Sequence, residues 1–138
     1  MDPVQLRQVM ARDRFAADAG IRLLDVREGY ARASMEVTPR HYNGVGTAQG
    51  GALFTLADFA FAAAVNSHGI VAVAINAGIS FMKAVTGGTL FAEANEIAVS
   101  PKLASCTVHV TDSEGALVAV FQGLAYRKSK KTPEIPTT

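Results

Sequence analysis

Residues 47–66 read TAQGGALFTLADFAFAAAVN, and this stretch decides the fold. It is built largely from Ala, Leu and Phe and carries one formal charge, Asp58. A helix that is apolar on every side is normally buried on every side, so the rest of the chain must wrap around it. Ser67-His68-Gly69 supplies a glycine stop, with His68 placed where a helix C-terminus favours a cation.

Downstream of the helix the pattern turns to strands. Ile70 to Lys83, Thr89 to Val99, Leu103 to Thr111 and Ala116 to Tyr126 are separated by Gly87-Gly88, Ser100-Pro101 and Asp112-Ser113-Glu114-Gly115. Upstream, residues 21–27 and 30–37 form a hairpin about Glu28-Gly29, and Thr38 to Gly46 is a loop rich in turn residues. Asp2-Pro3 reads as a helix cap followed by a first-turn proline. Val4, Leu6, Val9 and Met10 continue that helix, Phe15, Ala16 and Ala19 extend or restart it, and Gly20 ends it. Sequential strands on short turns make an antiparallel sheet. A sheet with one central helix must curl around it. The expected class is therefore α+β, a hotdog fold, with residues 1–127 as one domain and 128–138 as a loose polar tail.

Composition limits what such a domain does. The 138 residues are 49% hydrophobic and 18% charged, which suits one globular core rather than a disordered chain. A net charge of +1 offers no basic excess for nucleic acid, although a few well-placed cations would still serve a small phosphate compound. The single cysteine, Cys106, forms neither an internal disulfide nor a cysteine metal cluster, and its alternating surroundings give it a half-buried strand position. No secretory signal is visible and no segment has the length of apolar residues that a membrane span needs, so the expected home is the reducing cytoplasm.

The chemistry concentrates around the long helix. Asp58 lies between Leu56-Ala57 and Phe59-Ala60, where a carboxylate is costly unless hydrogen-bonded or open to a polar cavity. It is either a nucleophile or general base, or an acid that caps a nearby loop or bonds Thr55. Gly50 and Gly51 at the helix start offer backbone N–H groups with no intrahelical partner, strengthened by the helix dipole and suited to a carbonyl oxygen that gains charge. Tight packing of the helix start explains the glycines equally well. Gly50 and Asp58 are eight residues apart, roughly 12 Å along a helix axis. Groups acting on one carbonyl must lie within about 3.5 Å of the reacting atoms. One helix cannot bring these two together. If both act on one carbonyl, they come from different protomers across a two-fold axis, giving two sites per dimer.

With these residues in place, the chain resembles the PaaI-like branch of the hotdog acyl-CoA thioesterases. The resemblance runs from about Gly20 to Arg127. It is carried by Asn43-x-x-Gly46-x-x-Gln49-Gly50-Gly51-x-x-Phe54-x-Leu56-Ala57-Asp58 and Asn66-Ser67-x-Gly69. It implies Asp58 as nucleophile or general base, the Gly50 N–H as polariser of the thioester carbonyl, and Asn43 as an aid to polarisation or to water placement. It also implies that Asp58 of one protomer serves the Gly50 and Asn43 of its neighbour, that dimers pair into homotetramers, and that no cofactor is required. One departure stands out. The family usually has His before the glycine pair, and Gln49 here forms hydrogen bonds without titrating. The Ser or Thr that the family places near the third strand is replaced by Ala74, Ile75, Asn76 and Ser80, with Asn76 the best polar candidate.

Positive charge for the CoA phosphates falls to Lys83, Lys102 and Arg127, each also readable as plain surface charge. Phe54, Phe61, Phe81 and Met82 are candidates for the acyl pocket, with Gly51 beside them, although core packing accounts for about half of these hydrophobics. His41 reads as a solvated loop residue and His109 as a strand residue facing solvent or a partner; no grouping has metal-ligand spacing. Two other readings stay open: a hotdog hydratase acting on enoyl or hydroxyacyl thioesters, which needs a His beside the acid, and a non-catalytic acyl-CoA-binding protein.

Overall fold

A computed structural model describes residues 2–131. Helix α1 (Pro3–Ala11) is opened by a capping box in which the Asp2 side chain accepts from Gln5 N–H. The restart near Phe15 is a separate helix, α2 (Arg14–Asp18), because the Asp13 carboxylate accepts from Ala16 N–H and caps a new first turn. Strands β1 (Ile21–Arg27) and β2 (Tyr30–Glu36) follow, then a short 3-10 turn at Pro39–His41 and the long helix α3 (Gly50–Val65). Four strands complete the chain: β3 (Ile70–Phe81), β4 (Thr89–Val99), β5 (Leu103–Thr111) and β6 (Leu117–Lys131). The strand order is β1-β2-β4-β5-β6-β3 with every pairing antiparallel, the curled sheet that the helix demanded.

Three boundaries differ from expectation by two residues or more. The long helix begins at Gly50 rather than Thr47, since Ala48 N–H donates to Val85 O and Gln49 N–H to His41 O, which holds the preceding residues extended. β3 ends at Phe81 because Met82 and Lys83 N–H both turn onto Val118 O. β6 runs to Lys131, so residues 128–131 continue the strand instead of opening the tail; the remainder of the expected tail lies outside the described residues.

Alternation in the strands supplies the core. Ala31, Ala33, Met35, Ala92, Ala94, Val108, Val110, Ala119 and Phe121 are all fully buried. Small side chains on the sheet bring α3 close. The Phe61 ring sits 2.7 Å from where a Cβ on Gly123 would stand, so α3 rests against β6 where only glycine fits. Cys106 is fully buried rather than half-buried, and desolvation pushes its thiol up to about 12. It remains a packed, protonated side chain.

The far end of α3 is stapled by its own sequence. Asn66 Nδ2 donates to Ala62 O and Ser67 Oγ donates to Ala64 O, which satisfies helix carbonyls that would otherwise draw a cation. His68 is therefore released from the helix end. Its Nε2 meets Glu96 Oε1 at 2.5 Å and its Nδ1 meets Glu28 Oε1 at 3.2 Å. The Glu96 side chain is only 6% exposed and its Oε2 has no partner among the described residues. Removing His68 would leave that carboxylate buried alone. His68→Leu is expected to lower unfolding stability by about 3 kcal/mol, measured by urea denaturation, whereas Glu28→Gln at the exposed end should barely move the midpoint.

The helix is not covered all round within one chain. Gly51, Phe54, Thr55, Asp58 and Ala62 fall along one stripe of α3 that stays partly open, while Leu53, Leu56, Ala57, Ala60 and Phe61 are buried. The outermost strand shows the same incompleteness. Val73 to Gly78 of β3 are exposed on both faces, with Ile75 at 55% and Phe81 at 53%. A long apolar edge strand of this kind is a template for pairing with another chain.

Candidate active site

The entrance of α3 is shaped by its glycines. Gln49 is the N-cap residue with extended backbone, and its side chain makes no cap bond. Instead Gln49 Oε1 lies 2.6 Å from where a Gly51 Cβ would stand, and the Phe81 ring lies 2.8 Å from where a Gly50 Cβ would stand. Any side chain at either position meets a neighbour. Ala52 and Leu53 N–H both donate to Gln49 O. The N–H groups of Gly50 and Gly51 have no acceptor among the described residues, so the helix presents two unclaimed donors at its positive end.

Asp58 sits two turns further along the open stripe. The alternative in which it bonds Thr55 does not occur: Thr55 Oγ1 donates to Gly51 O at 2.7 Å. Nor does any hydrogen bond tie down the Asp58 carboxylate among the described residues. Burial raises its pKa above the usual aspartate value, and the nearby Asp13 charge raises it further. Asp13 was invisible as a neighbour in the sequence, since only the packing of the α1–α2 corner against α3 brings it there.

Asn43 stabilises its own loop. Its Oδ1 accepts from Val45 and Thr47 N–H, and its Nδ2 donates to Thr47 Oγ1 at 2.8 Å. One amide hydrogen is left for a ligand. The loop closes through a bridge between Tyr42 and Ala48. His41 corrects its expected place: it is 5% exposed, not solvated, with Nδ1 accepting from Thr38 N–H and Nε2 donating to Ala19 O. No residue pattern signals this, because both partners are backbone groups.

Phe54 is a core residue as much as a lining one, stacking edge-on against Phe121 with centroids 5.3 Å apart. It also borders an open cleft of about 680 Å³ with Phe15, Tyr42, Gln49 and Gly51. Met82 is exposed beside Phe81. Asn76 is exposed on β3 next to an irregularity in its pairing with β6. Lys83 is half-exposed and its Nζ lies 2.7 Å from Asp112 Oδ2. Arg127 and Lys102 come together: Arg127 N–H donates to Lys102 O, and Arg127 Nη1 donates to Ser100 O. They lie at the Ala72 end of β3, because Ala72 pairs with Arg127 while Phe81 pairs with Ala119. Nine residues of strand, roughly 30 Å, separate this pair from Phe81 and hence from Gly50 of the same chain. Within a single chain the basic pair expected at the nucleotide end therefore lies far from the residues expected at the acyl pocket. His109 is exposed on β5, opposite Glu93.

Known proteins resemble this chain in sequence and fold. The family described as the thioesterase superfamily matches residues 45–119, which hold the glycine pair, Asp58 and β3 to β5. The chain belongs to this superfamily. A putative esterase of Archaeoglobus fulgidus is 42% identical over 81% of this chain and 73% of its own length. The acyl-coenzyme A thioesterase PaaI of Escherichia coli is 35% identical over 83% of both chains. The solved structure of E. coli PaaI superposes with a TM-score of 0.89 and 32% identity, covering 93% of this chain and 94% of that one. The enzyme is thus a PaaI-like hotdog thioesterase, a thioester hydrolase. No described helix of this thioesterase is long and apolar enough to cross a membrane. Among the described residues no group of His, Cys, Asp and Glu is placed to hold a metal ion.

Proposed function

We propose that the thioesterase hydrolyses acyl-CoA to free acid and CoA at sites built from two protomers. The observation that carries this reading is the open stripe of α3. Asp58 is the one acid on an uncovered apolar face, and the two free N–H donors that could stabilise an oxyanion lie about 12 Å away on the same helix. A second copy of α3, antiparallel across a two-fold axis, closes that gap and covers the stripe. Pairing of the exposed β3 edges gives the same axis. It also sets this chain's Phe81 end beside the partner's Ala72 end, which supplies Lys102 and Arg127 to the nucleotide of a CoA held at Gly50. Such dimers pair further into tetramers in this reading.

In this site the Gly50 N–H, with the spare Asn43 amide hydrogen, polarises the thioester carbonyl. Asp58 of the neighbouring protomer attacks the carbonyl carbon directly or removes a proton from the water that does. The tetrahedral oxyanion is held at the helix entrance, the C–S bond breaks, and the CoA thiolate leaves to take up a proton; on the direct route water then cleaves the acyl-Asp58 anhydride, which releases the acid and restores the carboxylate. Phe81, Met82 and Phe54 line the acyl side, while Gln49 orients by hydrogen bonding and transfers no proton. Since E. coli PaaI comes from a phenylacetic acid degradation operon, aryl thioesters head the substrate panel, with short- and medium-chain acyl groups beside them.

The test is release of free thiol from that panel. Turnover of at least one thioester is expected. Hydration of crotonyl-CoA without thiol release, or binding without turnover, defeats the reading. The raised Asp58 pKa sets a pH dependence. The working form is the carboxylate, so kcat/KM falls as pH drops through a value above the ordinary aspartate range. Asp13→Asn keeps the α2 cap but removes the like charge, and the acid limb should shift to lower pH.

A further inference from the structure

We propose that His41 is a positioning residue that sets the oxyanion-binding entrance of α3 through its backbone; this rests on the assignment of Gly50 as carbonyl polariser. The buried imidazole joins segments that are remote in the chain. Nδ1 accepts from Thr38 N–H at 3.0 Å, at the exit of β2, and Nε2 donates to Ala19 O at 2.7 Å, at the end of α2. A backbone N–H only donates and a carbonyl only accepts, so the ring is held in the Nε2–H tautomer and in one orientation. The carbonyl of the same residue accepts from Gln49 N–H at 2.7 Å, the bond that fixes the N-cap immediately before Gly50. The next residue, Tyr42, pairs with Ala48 to close the Asn43 loop. Both groups assigned to the carbonyl therefore hang from one anchored residue.

Two neighbours show that the anchor is built into this corner. The Arg40 guanidinium donates to Asp18 O at 2.9 Å, binding the same α2 terminus from the preceding residue. Its side chain lies where a Cβ on Gly20 would stand, so Gly20 is needed for this contact. Arg40 and Asp18 are the charged groups on the cleft beside His41, and neither takes part in the two imidazole bonds. The Gly50 N–H acts on a charge that develops in the transition state, so a small shift of the entrance should slow turnover more than it weakens substrate binding.

The experiment compares His41→Ala, His41→Asn and His41→Gln with wild type by steady-state kinetics on a turned-over acyl-CoA and by CoA binding. Asn can keep the Thr38 bond and Gln the Ala19 bond. For Ala, kcat should fall on the order of tenfold with KM and the CoA Kd nearly unchanged, and Asn or Gln should recover part of kcat. If Ala does not fold, Asn and Gln decide the matter by the same split. Wild-type kcat in the folded variants overturns the proposal, as does a loss that appears equally in KM and CoA binding. Asp58→Asn runs alongside. An inactive Asp58→Asn with a fully active His41→Ala sinks this inference alone, whereas an active Asp58→Asn sinks the site assignment beneath it.

Discussion

Asp58→Asn is expected to lower kcat by about 10³-fold, the contribution of a positioned base, while leaving the protein folded and somewhat more stable near neutral pH. Both halves follow from one environment. The Asp58 carboxyl is half-buried, among apolar neighbours and near Asp13, so its charged form is disfavoured in the folded state. A group whose ionised form is penalised on folding destabilises the protein above its folded-state pKa, and that penalty disappears as pH falls through that value. Asparagine has nearly the same shape without the charge. Thermal melts at pH 7 should therefore show a higher Tm for the variant, and the difference should shrink on acidification. An active variant would remove Asp58 from the chemistry. An inactive variant of lowered Tm would show a structural role for the acid.

Gly50→Pro should cost about 10²- to 10³-fold in kcat, the loss seen when one oxyanion donor is removed. Proline suits this position. It is the first helical residue, where no intrahelical bond is lost, and the preceding Gln49 has φ −66 and ψ 141, as a residue before proline requires. Gly50→Ala is the control, since it displaces the Phe81 ring equally and keeps the N–H. Proline should be much the slower of the two; equal rates would show that the ring, not the donor, matters. The proline variant also tests the shared site. When Gly50→Pro and Asp58→Asn, each nearly inactive, are unfolded together and refolded, half the dimers combine the two. Each mixed dimer holds one intact and one doubly damaged site, so about a quarter of wild-type activity should return. Sites contained within one chain would recover nothing.

Much of this enzyme is legible without coordinates. The bounds of β4 and β5 follow from alternation and turn residues alone, and the glycine pair and Asp58 stand out because their residue types conflict with their surroundings. The errors have a common origin. The helix start moved because Val85 and His41 hold residues 48 and 49 from outside. His68 left the helix end because Asn66 and Ser67 reached the carbonyls first. Lys83 meets Asp112, which lies far along the chain but adjacent in space, a pairing that no local pattern signals.

By itself the sequence determined the elements, their order and the presence of one acid where apolar residues belong, because these depend on local periodicity and on the cost of burying charge. Only the tertiary structure decided which stripe of the long helix stays open, that Phe81 lies over Gly50, and that Lys102 and Arg127 sit at the opposite end of β3. Those facts depend on register and helix rotation, which are fixed by contacts between distant segments. No window of neighbouring residues contains them.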